Sequence, residues 1–267
     1  MFLFDNLIVD KVIAGIAEGS DHKAKFRLTD LQNVSLNMTA TSKDKTDSDG
    51  TLMKRFYTAK NVDFSAETTL FSLSEQAVQY GTELVQTSGA ATYPFPSIEE
   101  FTVAATDASY TLRYTPIEGT LQYIYEINSN GSLGTEYAAA ASASATTFAY
   151  DATNNAITLP TGRTGQKTFM VSYQYNNSDG VYLVNSANKF PGTVALTLLV
   201  NAVDACSPDV TRLFYIKLPS FQISPEVDLT LDTESTFTIA GTCQVAYCGN
   251  AKELYTIYAS ADDVIGE

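Results

Sequence analysis

The sequence predicts an all-β protein with one short helix, interrupted by a second β-sandwich domain. Three observations carry this. Apolar residues recur with a period of two, the spacing that puts one side-chain set on a core face and the other on a polar face. The strand-like runs are rich in Tyr, Phe, Val, Ile and Thr, which suit a pleated, half-buried surface. Gly, Asn, Asp and Pro punctuate those runs, as in Asn128-Ser129-Asn130-Gly131 and Asn176-Asn177-Ser178-Asp179-Gly180.

In order along the chain, residues 34–40 alternate Val34, Leu36, Met38 and Ala40 with Ser35, Asn37 and Thr39. Residues 61–71 set Val62, Phe64 and Ala66 against Asp63, Ser65 and Glu67. A helix follows. Ser72-Leu73-Ser74-Glu75 has capping-box spacing, with Ser72 as N-cap and Glu75 reaching back, and Gly81 is the stop. Leu73, Ala77, Val78 and Leu84 are its expected apolar positions. Further strands are expected over 110–115, 120–127, 156–159, 168–175, 193–203, 210–218, 227–240, 235–246 and 253–259. The Ala/Ser tract 138–145 fits a helix, a small-residue loop or an edge strand.

The chain changes character twice. Residues 1–93 hold 9 basic and 12 acidic residues, residues 94–177 hold 3 and 7, and residues 178–267 hold 4 and 11. The middle block is poor in charge, opens on Pro94-Phe95-Pro96 and closes at the Asn176–Gly180 turn cluster. Residues 94–177 are therefore expected as an inserted sandwich, with 1–93 and 178–267 as two parts of one interrupted domain. The alternative is three successive pieces of a single all-β domain.

Composition excludes several function classes. At 45% hydrophobic and 17% charged, the chain of 267 residues is no disordered segment. A formal net charge of −14 lacks the basic footprint that grips phosphates. No apolar run approaches the roughly 20 residues of a spanning helix, so no membrane insertion is expected. The start, Met1-Phe2-Leu3-Phe4 followed by Asp5, has no basic n-region, so the chain is expected to fold where it is made, in a reducing cytosol.

The search for chemistry yields no catalytic, cofactor or metal site, and an enzyme is not expected. His22, the single histidine, sits in a polar turn with no nucleophile beside it. Cys206, Cys243 and Cys248 are an odd set with C-x4-C spacing, a poor match to zinc. Residues 162–168 (GRTGQKT) resemble a phosphate loop but break its spacing, and read as a hairpin turn. Residues 44–50 resemble an EF-hand opening, yet aligning Gly50 puts Lys45 where an oxygen ligand is required. Glu99-Glu100 reads as a surface pair.

Surface and assembly carry the remaining information. Residues 41–55 read as a long, doubly charged loop between patterned strands, with Lys43, Asp44, Lys45, Asp47, Asp49, Lys54 and Arg55 as contact candidates. The uniformly polar faces Ser35, Asn37, Thr39, Asp63, Ser65, Glu67, Asp228, Thr230 and Asp232 suit a wet, acid-lined channel that repels phosphate. The arrangement of loop 41–55, strand 61–71, the helix at Ser72 and the late acidic strands resembles the tail tube (major tail) proteins of long-tailed bacteriophages. The middle block resembles the immunoglobulin-like insertions of virion proteins. The stretch 1–18 and the size of the middle block depart from the minimal tube pattern. The resemblance implies that the interrupted domain is a tail-tube-like β-sandwich or split barrel, and that the protein is a non-enzymatic virion subunit that self-assembles into stacked hexameric rings. Loop 41–55 would touch the next ring, and the named polar residues would line the lumen. Implied partners are copies of itself and other virion proteins (sheath, baseplate or terminator), with DNA passing without specific binding. Alternatives are a capsid decoration or fibre-base protein, or a carbohydrate-binding adhesin in which tyrosines such as Tyr123, Tyr125, Tyr173 and Tyr175 stack on sugar rings.

Overall fold

The computed structural model describes residues 6–245 and 252–265. Among the described residues the protein is nearly all β, with one helix. It divides into two compact units: residues 1–84 with 183–267, and residues 85–182.

The first unit begins with β1 (Leu7–Glu18), β2 (Ala24–Leu28), β3 (Leu31–Thr46), β4 (Leu52–Thr68) and α1 (Leu73–Gln79). The second unit then runs through β5 (Val85–Gln86), β6 (Tyr93–Val103), β7 (Ser109–Thr111), β8 (Tyr123–Ile127), β9 (Leu133–Ala139), β10 (Thr147–Asp151), β11 (Ala156–Thr158), β12 (Lys167–Asn177) and β13 (Val181–Tyr182). The chain returns to the first unit for β14 (Thr193–Asp204), β15 (Ser207–Ile223), β16 (Phe237–Cys243) and β17 (Thr256–Ile265).

The large sheet of the first unit follows the order β2-β1-β14-β15-β16-β4-β3, with β17 also pairing β15. It curls into a nearly closed barrel. The two ends of that order, β2 and β3, are joined through Thr29-Asp30, with Asp30 at φ 57°. Alternating residues from β4, β14, β15 and β16 fill its interior: Phe64, Leu196, Leu198, Leu218, Phe221 and Ile239 are fully buried. Phe64 and Phe221 meet edge to face with centroids 5.6 Å apart, a favoured aromatic geometry. Gly241 is required beside them, because a Cβ there would lie 2.6 Å from the Phe221 ring and 2.2 Å from the Gln222 carbonyl oxygen.

The helix starts and stops where its residues dictate. Ser72 Oγ accepts from Glu75 N–H (3.3 Å), one half of a capping box. The C-terminus is a Schellman turn: Gly81 N–H donates to Val78 O (3.1 Å) and Thr82 N–H to Ala77 O (2.9 Å), with Gly81 at φ 64°. The buried flank holds only part of the expected apolar set: Ala77 is buried and Val78 packs against the barrel core. Leu73 is exposed, and Glu75, Gln76, Ala77 and Gln79 are buried. Replacing Ser72 by Ala should cost about 1 kcal/mol in urea unfolding; an unchanged midpoint would discount the cap.

The second unit holds a seven-stranded sheet, β6-β12-β8-β9-β10-β11-β7, and the short pair β5-β13 through which the chain enters and leaves it. Phe101, Ile124, Phe148, Ile157 and Phe169 form its core. Pro94 and Pro96, read from sequence as a boundary, lie within edge strand β6. A missing N–H is tolerated on an edge because no ladder bond is lost there. The tract 138–145 ends β9 and becomes a turn, with Ala138 and Ala139 paired in parallel to Thr147 and Phe148. The expected strand 110–115 is shorter, over Ser109–Thr111.

Candidate assembly surfaces

Residues 41–55 are not a loop. They continue β3 and β4 into a two-stranded ribbon whose pairing runs from Leu31↔Thr68 to Thr46↔Leu52. Strand β16 accompanies β4 only from Thr68 to Val62. Beyond that point the pair has no third strand among the described residues, and every residue from 37 to 61 is exposed. At roughly 3.3 Å per residue, the unaccompanied part is about 25 Å long.

Its tip is locally built. Asp47 Oδ1 accepts from Asp49 N–H (3.0 Å) and Thr51 N–H (2.8 Å), and Gly50 takes φ 81°. Asp47, one of the acids that resembled a calcium loop, therefore serves the turn. Below it, Arg55 forks onto Asp44, with Nε–Oδ1 at 2.7 Å and Nη2–Oδ2 at 2.9 Å. That hydrogen bond holds the Asp44 carboxyl below its ordinary range. Lys54 lies over the Phe56 ring, 5.1 Å from its centroid. All seven contact candidates, Lys43, Asp44, Lys45, Asp47, Asp49, Lys54 and Arg55, thus sit in the outer ribbon and turn. Sequence reasoning missed their apolar neighbours. Met53 and Tyr57 are 65% and 69% exposed, and Leu52 and Phe56 are exposed too.

The root of the ribbon carries a polar face. Ser35 pairs Ser65, Asn37 pairs Asp63 and Thr39 pairs Asn61, while Thr238, Ala240 and Thr242 of β16 lie opposite Glu67, Ser65 and Asp63. Thr242 Oγ1 donates to Asp63 (3.0 Å), and Asn33 Nδ2 donates to Glu67 (2.7 Å). These residues alternate with buried Val62, Phe64 and Ala66, so they occupy the other side of the same strands. The register slips between Thr41 and Ser42, where a one-residue shift exchanges faces.

Asp228, Thr230 and Asp232 do not join this surface as strand residues. The expected strand 227–240 begins only at Phe237, and residues 224–236 have no strand. Turn formers win there: Asp232 Oδ1 accepts from Thr233 N–H (2.6 Å), and Ser235 Oγ accepts from Asp232 N–H (2.7 Å). Leu231 is consequently 82% exposed.

The remaining chemical candidates separate. His22 is an exposed turn residue at φ 59°. Cys206 is exposed, Cys243 is buried with its thiol pushed up to about 11 by desolvation, and Cys248 lies outside the described residues. Among the described residues, no three His, Cys, Asp or Glu side chains converge as a metal site. No described helix is long and apolar enough to cross a membrane. Glu99 is a correction. It is buried, and it accepts from Tyr173 Oη, from Tyr110 Oη (3.2 Å) and from Arg113 N–H (3.0 Å). Burial first, and the Glu99 hydrogen bond second, push the Tyr173 phenol up to about 12. Glu100, on the opposite face of the strand, is exposed.

No curated protein matches the chain. A family model described as the YomU/Tube protein family matches residues 6–252, spanning the ribbon, its polar root and the whole second unit. The chain belongs to the YomU/Tube protein family.

Proposed function

We propose that the protein is a phage tube subunit, a non-enzymatic virion structural protein. Six copies form each ring, rings stack, and the bore carries DNA without binding it specifically. The ribbon is the observation that carries this reading. A two-stranded β-hairpin is marginal in water by itself. One with both faces wet and with Leu52, Met53, Phe56 and Tyr57 exposed is built to be covered. The family's name supports a tube, and a second copy is the partner such an assembly supplies. The mixed charges of the outer ribbon set register against a neighbour. The polar root, with Asp63 and Glu67, faces the bore and repels phosphate. The second unit is an immunoglobulin-like domain, and sheath, baseplate or terminator proteins are the remaining partners.

Negative-stain microscopy and sedimentation velocity of the full chain test the assembly. Stacked rings with a central hole are expected, and a monomer at all concentrations would refute the reading. The bore is tested separately. The double replacement Asp63→Lys, Glu67→Lys should leave rings intact and lower DNA delivery at least tenfold in a reconstituted particle. Unchanged delivery would remove these residues from the lumen.

A further inference from the structure

We infer that the second unit carries a binding cleft for neutral saccharide chains, formed where the segment after β7 crosses the end of β12. This is independent of the tube reading. The cleft has a volume of about 410 Å³ and is lined by Tyr114, Thr115, Ile117, Tyr175, Asn177 and Ser178, among others. That volume lies in the range of small-molecule sites.

Its chemistry is selective. Tyr114 and Tyr175 are stacked with centroids 3.9 Å apart and planes within 5°. The rings cover each other's inner faces, so the platform is the single exposed phenol ring of Tyr114, which is 38% exposed, backed by Tyr175. Every polar side chain of the lining is a phenol, an amide or a hydroxyl; none is charged. An anion or cation would find no counter-charge in the lining. A sugar ring offers C–H faces to a phenol ring and hydroxyls to amides, which is the complement of this lining.

The platform is held in advance. Tyr114 N–H donates to Tyr173 Oη (3.1 Å), whose own hydroxyl is anchored on buried Glu99. Glu99 also takes Arg113 N–H, so the residue before the platform is fixed as well. On the far side, Ile117 N–H donates to Gln174 O (2.7 Å), and Pro116 bridges Tyr175. A buried carboxylate that would otherwise be costly thus acts as a positioning group for an exposed ring.

Saturation-transfer NMR on the full chain with chitotetraose and cellotetraose at millimolar concentration tests the site. Transfer to the sugar ring protons is expected with at least one of them. Preference for chitotetraose would mark an acetamide-bearing glycan, and preference for cellotetraose a plain one. Tyr114→Ala should weaken binding at least tenfold, Tyr114→Phe should keep it, and Tyr123→Ala, on an exposed tyrosine outside the cleft, should leave it unchanged. Should Tyr114→Ala misfold, Asn177→Ala gives the same test with a smaller, roughly threefold loss. No transfer to either sugar, or equal transfer in the wild type and both cleft variants, would overturn the site. Ring formation plays no part in these measurements, so failure here leaves the tube reading standing, and the reverse.

Discussion

Replacing residues 42–58 by Asn-Gly should abolish assembly while leaving the monomer folded. Thr41 and Ala59 are paired, so a two-residue turn between them closes the shortened hairpin in register. The deleted residues are all exposed and contribute nothing to the barrel core, whose members begin at Val62 on β4. Since no buried side chain is removed, the thermal midpoint of the monomer should move little. Assembly, by contrast, loses the exposed apolar side chains of Leu52, Met53, Phe56 and Tyr57 together with every charged contact of the tip. The expected sedimentation profile is a single monomer species where the parent chain polymerises. A truncated chain that still stacks would place the ring-to-ring contact elsewhere. A truncated chain that unfolds would mean the ribbon supports the barrel.

The ribbon also shows where sequence reading succeeds and where it stops. Strands with one buried face, such as 61–68 and 193–204, announce themselves by alternation, because only one set of residues is removed from water. Beyond Val62 both faces are wet, neither set is selected for polarity, and the period disappears. Lys43-Asp44-Lys45 and Lys54-Arg55 therefore read as a loop although they are paired residue by residue. The same logic hid β6, where buried Glu99 stands at an apolar position. Nothing local distinguishes it from exposed Glu100, since its partners Tyr110, Arg113 and Tyr173 come from distant segments. The opposite error occurred at 227–231. A clean alternation exists there, but the turn at Asp232–Ser235 fixes the chain outside the sheet. Ser72, Glu75 and Gly81 were legible because cap chemistry is local, whereas the buried flank of α1 depends on what packs against it.

That flank gives the largest expected pH effect. Glu75 is 2% exposed, and burial pushes its carboxyl up from 4.5 to about 7. The unfolded chain releases this proton near 4.5, while the folded chain holds it until about 7. Between those values the folded state binds more protons, so stability falls as pH rises. The contribution is fully present below 4.5, is lost through about 7, and is flat above. A gap of about 2.5 in pKa corresponds to roughly 3 kcal/mol at 1.36 kcal/mol per unit. Glu75→Gln keeps the shape and removes the charge. Urea unfolding at pH 8 should find the variant more stable by up to about 3 kcal/mol, with the two chains converging near pH 4. Equal pH profiles would mean that the Glu75 carboxylate is solvated in the folded state. Because α1 packs on β2, at one end of the barrel's pairing order, ionising Glu75 weakens the support of β2. The same substitution should therefore increase hydrogen-exchange protection of β2 amides at pH 8, a local readout that a general gain in stability elsewhere in the chain would not give.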